Sequence, residues 1–305
     1  NPLNNYSTES DMINVAKNNL TFFTVFPSSG DAETITIMGL TNNQICINGE
    51  FWIRNAELIT KNLKTLVLQK CTLQLGPDAL IKVRGRVKLI LEGCVFKNCD
   101  GSTTMWDGIY VDVTNEAVAE PELEITKFVT TPTEITNAKN GVVARRDSPF
   151  KIEDCIFDNN YKDIVIEKYN KSGLAQDATI ISGCTFNKTN ALLAPYGGDK
   201  KFTAIELNEI EGRTIGDVTS ANSISNSMYG IYSRNASFIL LNTDFNDIEE
   251  DVLFPESGTG IYATSYYDYT NRKITLGNGN SNGSNTFKNS INGLLGVGEM
   301  NYYIY

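Results

Sequence analysis

Acids, bases and phenols are the side chains in this chain equipped for chemistry, because histidine is absent altogether. Without an imidazole there is no Ser-His-Asp or Cys-His nucleophile and no histidine-bound zinc. The six cysteines (Cys46, Cys71, Cys94, Cys99, Cys155 and Cys184) contain no CxxC pair, so neither a zinc ribbon nor a dithiol redox site is indicated. What recurs instead is charge. Asp112, Arg145, Glu167, Pro195 and Arg234 fall at equivalent places in repeated phrases, with Asp107 and Lys162 beside them. If Asp107, Asp112, Arg145, Lys162 and Glu167 converge, carboxylates and cations together can move a proton and steady developing charge, the work of a lyase or hydrolase. The plainer reading is a solvated ladder of ion pairs, each worth about 0–1 kcal/mol.

Tyrosines form the second candidate group. Tyr262, Tyr266, Tyr267 and Tyr269 crowd one segment, and Tyr302, Tyr303 and Tyr305 close the chain. Such rings stack on sugars or anchor protein partners, or else they pack over a flank or plug an end of the fold. The acidic stretches Asp247 to Asp251 and Glu116 to Glu124 offer oxygens to calcium but lack the regular ligand spacing of a loop site, so they read first as solvated charge. No resident cofactor is expected, with calcium as the one alternative.

These groups must be positioned by a repeat. One phrase recurs as Leu-Glu-Gly-Cys94-Val-Phe96, Glu-Asp-Cys155-Ile-Phe157, Ser-Gly-Cys184-Thr-Phe186, Asn-Thr243-Asp-Phe245 and Asn285-Thr-Phe287, with Ile135 and Ile224 in the phenylalanine place of two variants. Leu73 precedes them. The intervals are unequal, the short ones matching a bare coil and the long ones a coil with an inserted loop or an additional strand turn. A second phrase follows as Gly108-Ile-Tyr-Val, Gly141-Val-Val-Ala, Asp163-Ile-Val-Ile, Gly230-Ile-Tyr-Ser, Asp251-Val-Leu-Phe and Gly293-Leu-Leu-Gly.

Side-chain parity gives the cross-section. Phe150, Ile152, Cys155 and Phe157 alternate along a strand broken by a bend at Glu153-Asp154, and Leu89, Leu91, Cys94 and Phe96 repeat the pattern. Gly93, Gly183 and Asn242 occupy the bend, where positive φ is tolerated. Stacked in register about 4.8 Å apart, these coils make an all-β single-stranded parallel β-helix, with inserted loops and an N-terminal cap or lead-in over 1–33, a solenoid over 34–297 and a tail over 298–305. Weak helical periods occur at 8–20, which would form the cap, and at 114–127.

The Cys-x-Phe and Asn-x-x-Gly-Ile phrases resemble those of the pectin-lyase-like superfamily of right-handed parallel β-helices. Gly76 to Phe96, followed by Met105-Trp-Asp-Gly-Ile-Tyr-Val111, is similar to secreted bacterial surface proteins, often adhesin-like and often exported by type IX machinery. The resemblance implies the fold over roughly 34–297 and leaves activity open, since that superfamily holds lyases, hydrolases, adhesins and phage spikes. Its pectinolytic hydrolases use a Gly-His-Gly motif that a histidine-free chain does not have.

Parity also makes an outward column of Tyr110, Val143, Val165, Leu193, Tyr232, Leu253 and Leu295, which holds no carboxylate or cation. This face is expected to be covered by excursions at 195–202 and 255–273, or to be a docking stripe. Cys71, Cys94, Cys155 and Cys184 read as small buried hydrophobes with free thiols, with a Cys94–Cys99 disulfide as an alternative for an exported protein. A net charge of -10 opposes nucleic-acid binding, and no apolar run is long enough to span a membrane. An export leader would have been removed before Asn1-Pro2-Leu3. The residues and the resemblance together point to a non-enzymatic secreted or cell-surface module that presents loops and an outer strand face to a glycan or protein partner, with a polysaccharide lyase or glycoside hydrolase acting on acidic glycans as the alternative that the resemblance implies.

Overall fold

A computed structural model describes residues 22–26, 34–41, 46–47, 49–55, 64–84, 87–112, 122–169, 179–266, 272–279 and 283–305. Their strands are short, alternate in burial and pair only in parallel. Val87–Glu92 buries every second residue, so Leu89 and Leu91 face in while Lys88 and Ile90 face out. One such strand cannot cover its apolar side alone. It is covered by the two strands that follow in the same coil and by the coils above and below.

Three parallel sheets result, of 10, 10 and 8 strands among the described residues. Each coil passes through them in a fixed order, as in Val87–Glu92 of the second sheet, Val95–Asn98 of the third and Trp106–Asp112 of the first. The product is a parallel, β-helix-like solenoid. The strand Phe22–Phe26, inside the expected lead-in, pairs in the first sheet, and Asn301–Ile304, inside the expected tail, is the last strand of the second. The expected cap helix at 8–20 lies outside the described residues. The helical period expected over 114–127 is corrected, since Glu122–Thr126 is a strand with Leu123 and Ile125 buried, and 113–121 lie outside the described residues.

The recurring phrase forms one continuous column through the interior. Leu73, Phe96, Ile135, Phe157, Phe186, Ile224, Phe245 and Phe287 are register partners in turn. Phe157 and Phe186 stack with centroids 5.3 Å apart, and Phe245 and Phe287 with centroids 4.7 Å apart. Each long interval is therefore one coil with an excursion, and the additional strand turn does not occur. The bend positions carry positive φ at Gly93, Asp154, Gly183 and Asn242, as the pattern predicts.

Beside the aromatic column runs the cysteine column. Its polar members tie neighbouring coils: Asn222 Oδ1 accepts from the Cys184 amide at 3.0 Å, and Asn285 Oδ1 from the Thr243 amide at 3.1 Å. Cys71, Cys94, Cys155 and Cys184 are buried free thiols, as expected. The Cys94–Cys99 disulfide is corrected. Cys94 points inward and its thiol donates to the Leu68 carbonyl at 3.1 Å, whereas Cys99 bonds to Cys46, with Cα atoms 5.6 Å apart.

Candidate functional site

The outer face of the first sheet is set by its inward column. Ile81, Ile109, Val142, Ile164, Ile205, Ile231, Ile261 and Leu294 are register partners that point to the core. The next residue of each strand therefore points out. That outward column reads Lys82, Tyr110, Val143, Val165, Glu206, Tyr232, Tyr262 and Leu295. Two expected members are corrected. Leu193 lies in a turn of the 188–202 excursion, and the strand of that coil is Thr203–Ile210, which contributes Glu206. Leu253 lies in a turn with 79% of its surface exposed, and its coil uses Thr259–Ser265, which contributes Tyr262. The column thus contains a carboxylate and a lysine, contrary to its reading as purely apolar and aromatic.

Two residues further along lies the charged column, which reads Asp112, Arg145, Glu167, Asn208, Arg234 and Thr264. Asn208 stands where Pro195 was expected, again because the excursion displaces the strand. Arg145 Nε meets Glu167 Oε2 at 2.9 Å. Arg234 Nε donates to Asn208 Oδ1 at 2.7 Å, and its terminal nitrogen reaches Glu206 Oε1 at 3.0 Å.

Glu206 is the hub of this face. Lys162 Nζ lies 2.6 Å from its Oε2, and Asn208 Nδ2 donates to Oε1 at 2.9 Å. Burial alone would raise its pKa, but the nearby Lys162 charge, the Asn208 and Lys162 hydrogen bonds and Arg234 outweigh burial, so the carboxyl sits below its usual range. Of the other two expected acids, Asp107 pairs with Lys139 at 2.7 Å, and Asp112 is a backbone neighbour of Arg145 whose side chain lies outside the described residues. The five expected catalytic residues are therefore spread over several coils. Arg145 and Glu167 meet, while Lys162 and Asp107 are engaged elsewhere.

Along one edge of this face the strand ends open into a pocket of about 350 Å³ lined by Glu167, Lys168, Asn208, Glu209, Arg234, Asn235 and Tyr266. Lys168, Glu209 and Asn235 turn the backbone there with φ of 54°, 54° and 51°. Asn235 Oδ1 accepts from the Tyr266 amide at 2.9 Å and fixes where the tyrosine leaves the strand. Tyr266 keeps 63% of its surface exposed. The pocket joins an exposed ring to a guanidinium, amides and carboxylates, groups that recognise the apolar face and the hydroxyls or carboxylates of a sugar.

Next to the pocket the outward column becomes aromatic. Tyr262 stacks on Tyr232 with centroids 5.3 Å apart, and Phe202 approaches Tyr232 at 5.2 Å. Tyr196, from the same excursion as Phe202, stacks on Tyr161 at 3.6 Å. Val143 and Val165 are buried, so this part of the face is covered, while Tyr232 and Tyr262 remain half-buried. Of the expected ligand-binding tyrosines, Tyr266 lines the pocket and Tyr262 stands on a strand beside it. Tyr267 and Tyr269 lie outside the described residues. Tyr302 packs against the interior, and Tyr303 and Tyr305 are exposed.

Sequence reasoning missed Glu206 and Asn208. Their signal was the alternation Ala204-Ile205-Glu206-Leu207-Asn208, which lacks the glycine that marks most sister strands. Among the described residues no three acids or cysteines gather as a metal site, and no helix is long and apolar enough to cross a membrane. No family model, curated protein or solved structure matches the chain.

Proposed function

We propose that this chain is a glycan-binding module of an exported or cell-surface protein, built as a right-handed, capped β-helix of the pectin-lyase-like kind and adhesin-like in role. The observation that carries the reading is the meeting of Tyr266 with Arg234, Asn208 and Glu167 in one pocket beside the Tyr232–Tyr262 stack. A sugar ring laid on Tyr266 brings its hydroxyls or a uronate carboxylate toward Arg234. The Cys46–Cys99 disulfide supports an oxidising compartment.

The ion pairs of this face favour binding over turnover. Arg145, Lys162 and Arg234 are each engaged with a carboxylate, which suits these three cations to holding a ligand rather than to taking up a proton. The lyase or hydrolase alternative keeps one support, the carboxylates of Glu167 and Glu209 in the pocket with Arg234. Titration calorimetry against uronic-acid and neutral oligosaccharides, together with ultraviolet detection of unsaturated uronide products, separates the two. Binding without product is expected, and Tyr266→Ala should weaken it roughly twofold to twelvefold, the value of one aromatic contact of about 0.5–1.5 kcal/mol. Product release abolished by Glu167→Gln would install the enzyme instead, and no binding to any glycan would remove the module reading.

A further inference from the structure

Beneath the 188–202 excursion lies a pair of reactive groups that the proposed glycan site does not use. Asp163, in the strand Lys162–Tyr169, and Lys201, just before the strand Thr203–Ile210, have fully buried side chains in contact with each other. Asn160, itself fully buried, donates from Nδ2 to Asp163 Oδ1 at 3.0 Å. The same amide group is pinned by the Ile135 carbonyl at 2.9 Å and by the Ala138 amide, which donates to Asn160 Oδ1 at 2.7 Å. The second carboxyl oxygen, Oδ2, faces Lys201 Nζ, yet it accepts no hydrogen bond of normal geometry. Lys201 Nζ donates instead to the Asn187 carbonyl at 3.0 Å. One carboxyl oxygen thus accepts from Asn160, and the Lys201 nitrogen lies against the other.

A charged pair is costly in such a place, because both ions must be stripped of water before their mutual attraction returns anything. Burial pushes the Asp163 carboxyl up to about 6, with the Lys201 charge offsetting only part of the effect, and burial pushes the Lys201 amine down. Both shifts favour the neutral acid and the neutral amine. That is the protonation state in which an amine is a nucleophile and a carboxyl can lose hydroxide as water.

We infer that Lys201 and Asp163 form an intramolecular isopeptide bond. The Nζ lone pair attacks Asp163 Cγ, and the oxyanion that develops on Oδ1 is met by Asn160 Nδ2. A proton passes from Nζ to Oδ2, the Cγ–Oδ2 bond breaks and one water leaves. The bond formed is Cγ–Nζ, and no oxidant or co-reactant is needed. The fold supplies proximity and a dry site, which between them substitute for activation. The amide would tie the excursion bearing Tyr196 and Phe202 to the solenoid wall and remove two buried charges.

The test is the intact mass of the full-length, reduced and denatured chain. The expected mass is one water below that of the sequence, and digestion should give a branched peptide joining Lys201 to Asp163, with no tryptic cleavage after Lys201. Lys201→Arg and Asp163→Ala should each restore the full sequence mass. Asp163→Asn should lose ammonia in place of water and give the same branched peptide. A wild-type chain still at its full sequence mass after prolonged incubation overturns the inference, as does a deficit of one water that survives in Lys201→Arg.

Discussion

Glu206 stays ionised although it is almost fully buried, because Lys162, Asn208 and Arg234 surround it. Burial raises its pKa, and these partners bring it below the ordinary 4.5 of a glutamate. A group with a lowered folded-state pKa stabilises the fold fully above its unfolded value, and that contribution fades as pH falls below it. Chemical denaturation from about pH 5 to about pH 3 should therefore show falling stability, with a shallower fall in Glu206→Gln. An equal slope in the two proteins would remove Glu206 from the account. Phe157 makes a purely apolar case. It is fully buried and stacked on Phe186, so Phe157→Ala should cost about 3–5 kcal/mol in the same measurement. Phe157 was legible in the sequence because its phrase recurs with the same neighbours. Glu206 was not, because its strand carries no such phrase and only tertiary register places a carboxylate between Val165 and Tyr232. The partner of Cys99 was hidden for the same reason. Sequence proximity favoured Cys94, whereas coil stacking brought up Cys46.

At the level of strands, the glycines of the second phrase do more than mark a turn. Gly108 has φ of 127°, and a β-carbon there would sit 1.7 Å from the Asn140 carbonyl oxygen of the next coil. Gly108→Ala should lower stability by more than about 1 kcal/mol, seen as a drop in thermal midpoint, since both conformation and space exclude the methyl group. Gly260 is also closely approached, its added β-carbon meeting the Phe287 ring at 2.5 Å, and it belongs to Thr259–Ser265, the strand of the coil in which the sequence pattern picks out Asp251-Val-Leu-Phe. That phrase copies the apolar run but not the glycine. Val252 accordingly ends up 92% exposed in a turn. The glycine was neither necessary nor sufficient: the strand of Asp163 was legible without one, and the strand of Gly260 was missed although it carries both the glycine and the alternation. Strands displaced by excursions were not legible, because loop length carries no parity signal.

Across the whole molecule, each coil leans on its two neighbours, so stability is a sum of local interfaces. The Cys46–Cys99 bond departs from that rule by joining positions 53 residues apart. Breaking it frees the unfolded chain, and reduction should cost about 2–4 kcal/mol, measured as a shift in denaturation midpoint with and without reductant. The same bond has a mechanical consequence. Tension applied along the solenoid axis would peel coils one after another, but the segment between the two cysteines is closed into a covalent ring and carries no load. A single molecule stretched under oxidising conditions would stop short of its reduced contour length by about 180 Å, the reach of the 53 residues at ~3.4 Å each.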